Sequence, residues 1–199
     1  MSGRHARVSL VVLPLLVLTA CASQGQAQTG APSDHTLVKT LHVYRPDGEL
    51  TVRVADVGFG HCWTMSIAAP TSGAYRCLSG NAILDPCFRS PKASKPLEVA
   101  CVADPWSEAK VLQINGALPE PVGKDGPQRP WALELGNGTR CVAATGMVPS
   151  VDGVNLGYHC GGGHDAGALD TARSLATAKY AQEGAKALSS VTITTIWHA

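Results

Sequence analysis

Six cysteines, Cys62, Cys77, Cys87, Cys101, Cys141 and Cys160, constrain what this chain can fold into more than any other feature. Each neighbouring pair brackets turn-forming residues. Pro70 and Gly73 lie between Cys62 and Cys77, Pro91 and Pro96 between Cys87 and Cys101, and Asp152-Gly153 between Cys141 and Cys160. An even number of cysteines in an exported chain reads as a disulfide framework, whereas thiols in a reducing compartment stay free. Six cysteines allow about fifteen connectivities, and the residues alone leave these open. Pairing neighbours closes the shortest loops and is the expectation, each bridge contributing about 2–4 kcal/mol.

Whether the chain is exported turns on its first residues. Arg4 and Arg7 precede an apolar run over residues 8–18 that only Ser9 and Pro14 interrupt. A membrane-spanning helix needs about 20 apolar residues, so the run suits the core of a signal peptide instead. It ends in Leu18-Thr19-Ala20-Cys21, which resembles a bacterial lipobox. Small side chains at 19 and 20 admit the peptidase, and only a thiol can form the thioether to diacylglycerol. The resemblance implies that residues 1–20 are removed and that Cys21 becomes an acylated first residue. Two or three acyl chains attach a protein lastingly where one does not.

Residues 22–36 carry Gln, Gly, Ser and Pro without hydrophobic period and read as a tether, spanning roughly 20 Å as a coil. The expected organisation is a signal peptide (1–20), a lipid-anchored tether (21–36) and one globular extracytoplasmic domain (37–199). Ala22 follows the cysteine where an Asp would retain the chain at the inner membrane, so a Gram-negative envelope would permit passage to the outer membrane.

Charge removes one class of partner. Taking Arg4 and Arg7 from 16 Lys+Arg leaves 14 against 15 Asp+Glu, a net charge of −1 for the mature chain. It has no basic field for nucleic acid and no acidic tail.

Within residues 37–199, apolar alternation points to strands. Residues 40–44 and 50–54 flank Pro46-Asp47-Gly48 as a hairpin. Further strands are expected over 63–68, 110–114, 131–135, 139–144, 154–158 and 191–197, with Asp152-Gly153 as a tight turn. Residues 116–130 form a long loop, and 104–108 (Asp-Pro-Trp-Ser-Glu) look like a capped helical turn. Residues 166–188 are rich in Ala, which favours helix on propensity, yet they also read as a hairpin turning near Glu183-Gly184; 166–176 stay open between the two. Aromatics are few, so Trp63, Trp106, Trp131 and Trp197 are the expected anchors, Trp63 in the core. The expected fold is mostly β, or α+β with little helix: a single disulfide-bonded antiparallel sheet or barrel-like domain.

Several residue patterns carry candidate chemistry. Gly60-His61-Cys62-Trp63-Thr64-Met65-Ser66 resembles the nucleophile segment of papain-like cysteine proteases. That resemblance implies a thiolate at Cys62 served by a histidine base. Residues 57–60 lack the side-chain amide that lines an oxyanion hole, and no Asn follows His198. A free Cys62 would also orphan another cysteine. His61, His159 and His164 beside Cys62 and Cys160 are candidate metal ligands, although the usual Cys-x2-Cys or His-x3-His spacings are missing. Gly161-Gly162-Gly163 lacks the strand, the helix and the Lys-Ser/Thr of a phosphate loop and reads as a connector.

Beyond the lipobox, several segments are together similar to a Cys-rich exported domain of unassigned activity seen often in actinobacteria. They are Cys-Trp-x-x-Ser-Ile (62–67), Tyr-Arg-Cys (75–77), Gly-Asn-x-Ile-x-Asp-Pro-Cys-Phe (80–88), Cys-x-x-Asp-Pro-Trp (101–106), Pro-Trp-Ala-Leu-Glu-Leu-x-Asn-Gly-x-Arg-Cys (130–141) and Asp-Gly-Val-x-Leu-x-Tyr-x-Cys (152–160). The expected function is thus a membrane-anchored lipoprotein with a non-catalytic binding or envelope-associated role and no cofactor. Its partners are membrane lipid through Cys21, and an envelope component or small ligand. The alternative is a thiol- or metal-dependent envelope hydrolase.

Overall fold

A computed structural model describes residues 34–92, 96–120 and 129–199. The expected signal peptide, Cys21 and the tether up to residue 33 lie outside the described residues. Pro32–Ala199 forms one compact unit. Its described residues hold fourteen strands and no helix, in two closed sheets and one separate two-stranded sheet.

The first barrel is built from β2 (Val54–Met65), β3 (Ala74–Ser79), β4 (Ala82–Arg89), β5 (Glu98–Cys101) and β6 (Ala109–Ile114). Antiparallel neighbours run in chain order, and a parallel β2–β6 pair closes the ring. Side chains alternate across each strand, so Gly58, Gly60 and Cys62 of β2 share the inner face with Leu112 and Ile114 of β6. A Cβ on Gly60 would lie 2.5 Å from the Leu78 carbonyl oxygen, so only glycine lets β3 approach this closely.

The second barrel consists of β7 (Ala132–Leu135), β8 (Arg140–Ala143), β11 (Tyr158–Cys160), β12 (His164–Asp170), β13 (Thr177–Gln182) and β14 (Ser189–His198). The β14–β7 pair closes it, and β1 (Leu37–Thr40) adds to β14 in parallel. Just before β1, the Thr36 hydroxyl donates to the Ile193 carbonyl and accepts from the Ala176 N–H, continuing the ladder where backbone pairing stops. The short hairpin β9 (Ser150–Val151) and β10 (Val154–Asn155) turns at Asp152-Gly153, both at positive φ, as a type I′ turn requires.

One apolar cluster forms the seam between the barrels. Val102, Ala109 and Val111 of the first pack with Trp131, Leu133 and Ile193 of the second. A second cluster, around Cys77, Cys87, Val99 and Leu112, fills the first barrel. Glu134 reinforces the seam: its Oε1 accepts from the indole N–H of Trp106, on the β5–β6 connection, and of Trp197 on β14, each at 3.0 Å. Arg140 lies over the Trp106 ring and Lys39 over that of Trp197.

Five expectations require correction. The strand expected over 154–158 is split into β10 (Val154–Asn155) and β11 (Tyr158–Cys160), which belong to different sheets. Trp63 is 43% exposed rather than a core anchor. Cys62 faces inward, and Trp63 sits in the bulge between Cys62 and Thr64 on the outer wall. The strand expected over 63–68 ends at Met65, because the buried Asp85 carboxylate accepts the Ile67 and Ala68 N–H groups and the Ser66 hydroxyl, curling the chain into a turn. Residues 40–54 make a turn with the single Tyr44–Leu50 bridge, since Leu41, Tyr44, Leu50 and Val52 pack on the seam cluster instead of pairing as a ladder. Residues 104–108 form a turn and no helix: Asp104 accepts from the Trp106 N–H and the Ser107 hydroxyl.

The Ala-rich segment resolves to strands β12 and β13, then a turn and β14. Tertiary pairing overrides helix propensity there, and Ala166, Ala178 and Ala181 are the small side chains that let the strands sit close to the core.

Candidate binding cleft

The six cysteines of the domain form three disulfides, Cys62–Cys77, Cys87–Cys101 and Cys141–Cys160. This is the neighbour pairing expected from loop length. Each joins residues directly opposite on adjacent antiparallel strands, with Cα atoms 3.8–4.0 Å apart. Cys62 is therefore no thiolate, and the likeness to a protease nucleophile segment carries no chemistry.

The candidate metal ligands are dispersed. His61 lies on the outer wall of the first barrel, far in the fold from the β11–β12 hairpin that carries the other two. His159 pairs with Asp165 across that hairpin (Nδ1 to Oδ1 2.8 Å), while His164 opposes Cys160 and so projects from the other face. His164 stacks on Tyr180 at 5.0 Å, and its Nδ1 lies 3.2 Å from the Gly161 carbonyl. Gly161-Gly162-Gly163 forms the turn of the hairpin, with Gly162 and Gly163 at positive φ. Among the described residues, the only three ligand atoms that converge are the sulfurs of Cys77, Cys87 and Cys101, all spent in disulfides.

The concave site of interest is a cleft that no motif announces. Its volume is about 730 Å³, and it is lined by residues 41–46 with Thr51, by the turn 71–73, by Phe88, Arg89 and Pro91 at the end of β4, and by Ala199. Leu41, Tyr44, Phe88 and Pro91 give it apolar walls. Phe88 is fixed edge-on against the buried Trp131, with ring centres 5.9 Å apart. Burial, with the Glu98 carboxylate adding to it, pushes the Tyr44 hydroxyl up to about 12, so this group stays a neutral hydrogen-bonding phenol at physiological pH.

Two guanidiniums stand at the cleft. Arg45 is held by Glu49 across its own turn. Arg89, whose backbone N–H donates to the Gly73 carbonyl, has no carboxylate partner among the described residues. A second hollow of about 470 Å³ shares Ser72, Gly73, Arg89 and Pro91 and runs on toward Leu118 and Glu120. Apolar walls with a few polar groups and a guanidinium that no carboxylate pairs at close range are the composition of a small-ligand site.

The residues that make the cleft were missed in the sequence because they come from four separated parts of the chain. The one local signal was a cluster of turn residues, Pro46, Gly48, Gly73 and Pro91, which marks where strands end and cavities open. No known protein family, curated protein or solved structure matches the chain.

Proposed function

We propose that this chain is a lipid-anchored, extracytoplasmic binding protein. Its ligand is a small molecule with an apolar body and one anionic group, taken into the cleft beside Arg89. The anchor rests on the sequence Leu18-Thr19-Ala20-Cys21 behind an apolar run, and export agrees with three disulfides. The observation that carries the binding role is the pairing of Phe88 and Tyr44 walls with an Arg89 that lacks a carboxylate partner among the described residues. An arginine fork binds carboxylate, sulfonate or phosphate in two-point fashion. The thiol branch of the hydrolase alternative has lost its nucleophile, since Cys62 is bonded to Cys77.

A probe of this chemistry is 1-anilinonaphthalene-8-sulfonate, which has two aromatic rings and one sulfonate. Its fluorescence should rise on addition of the folded protein, and Arg89→Glu should weaken binding by about tenfold, the value of one charge-assisted contact. Equal binding by the wild type and Arg89→Glu would remove the cleft as the anion site.

A further inference from the structure

The outer wall of the first barrel is turned inside out relative to an ordinary core strand. Along β2 the inward positions hold Gly58, Gly60 and Cys62, whereas the outward ones hold Val57, Phe59, His61 and Trp63. Val57 is 61% exposed and Phe59 65%, and Trp63 stands beside them in its bulge. The register carries the patch across two more strands. His61 opposes Leu78 of β3, and Leu78 opposes Ile83 of β4, itself 54% exposed. Residues 57–63 extend about 20 Å along the strand, and three strands are about 10 Å wide. Soluble surfaces seldom gather large apolar groups in this way unless the patch is covered.

Along this wall β2 pairs with β6 over Val54–Gly60 and with β3 over His61–Met65. Each half thus keeps one backbone edge that needs water or headgroup partners, which the headgroup boundary supplies and the acyl core does not. Phe59 and Trp63 are side chains that favour the boundary between headgroups and acyl chains. At its edge Arg76, which pairs with Asp85, lies over the Trp63 ring.

We propose that this wall is a shallow membrane-docking face, seated in the headgroup boundary of the bilayer that holds the Cys21 acyl chains; the proposal rests on the lipid-anchor reading. The chain from Cys21 to Asp34 can extend to about 45 Å at most. A unit of this length has a radius of gyration of about 15 Å. The anchor can therefore bring any wall of the domain to the lipid, and tethering holds that wall at high effective concentration. Docking would give the anchored domain a fixed face toward lipid.

The test uses the chain beginning at Ala22, since Pro32–Ala199 is one compact unit whose six cysteines pair among themselves. Vesicles of phosphatidylcholine and phosphatidylglycerol with brominated acyl chains are titrated in. Trp emission should shift to the blue and be quenched by bromine. Trp63→Phe should abolish the quenched component while vesicle sedimentation persists. Val57→Ser with Phe59→Ser should cut partitioning by on the order of tenfold or more, with an unchanged far-ultraviolet spectrum. Unquenched emission at saturating lipid would overturn the proposal. So would a blue shift that follows protein concentration without lipid, which would mean that a second copy covers the wall. Acylation of Cys21 is read separately by mass. Quenching without acylation would remove the anchor and keep the face, and acylation without quenching would do the reverse.

Discussion

The two barrels solve the same closure problem with different materials. In the first, four of the eight buried residues of the interior cluster are cysteines: Cys62, Cys77, Cys87 and Cys101. In the cluster shared by the second barrel and the seam, Cys141 is the one cysteine, among aliphatic side chains, Tyr158 and Trp131. A five-stranded ring whose longest strand contributes Gly58 and Gly60 to the inside has little room for branched side chains, and two bridges fill what is left. The second barrel has Leu133, Leu135, Ile193 and Ile196 to bury, and its single bridge joins β8 to β11 with Cys160 only partly buried. Covalent staples thus concentrate where the apolar core is smallest.

This contrast breaks most visibly on removing bridges. Replacing both Cys87 and Cys101 by Ala should cost about 2–4 kcal/mol for the lost constraint, plus a further 1 kcal/mol or so for the emptied interior. The pair Cys141→Ala and Cys160→Ala should cost the constraint and a smaller emptied volume, because only Cys141 is fully buried and aliphatic side chains surround it. Urea unfolding of the two double variants gives the ranking directly. A larger loss from the 141/160 pair would contradict the division of labour drawn here.

A smaller effect separates the barrels by pH. Burial pushes Tyr158 of the second barrel up to about 12, with Arg129 partly opposing it, and Tyr44 at the seam also rises to about 12. Both groups are neutral acids in the folded state. The stability they contribute is complete below the unfolded value near 10 and is lost as pH climbs from about 10 to 12. Each should contribute on the order of 1 kcal/mol or a little more, Tyr44 less than Tyr158 because its half-buried ring is screened by solvent. Thermal melts at rising pH should show this decline, and Tyr158→Phe should flatten it, at the cost of the hydroxyl's bond to the Pro130 carbonyl. An unchanged slope in Tyr158→Phe would assign the decline elsewhere.

Local signals in the sequence were legible where they were decisive. Alternation located β6, β7, β8 and β14 to within a residue or two, and Asp152-Gly153 announced its hairpin. Short loops between turn-marked cysteines pointed to the three bridges. What stayed hidden depends on partners distant in the chain. The parallel β2–β6 closure joins residues about fifty apart, and no local pattern specifies it. Trp63 reads as an anchor until the bridge to Cys77 fixes which face of β2 is inside. Asp85 cannot be seen to end β2 before the fold brings it to Ser66. The cleft was illegible for the same reason, since Tyr44, Phe88 and Arg89 meet only once both barrels have formed.

The central claim is that an exported, lipid-anchored and fully bridged domain carries these sites. It is tested most directly by the intact mass of the protein taken from host membranes, before and after alkylation without reductant. The account predicts a chain that begins at Cys21, carries the added mass of two or three acyl chains, and takes up no alkylating reagent after denaturation. A chain retaining residues 1–20, an unmodified Cys21, or two or more alkylated thiols would contradict it.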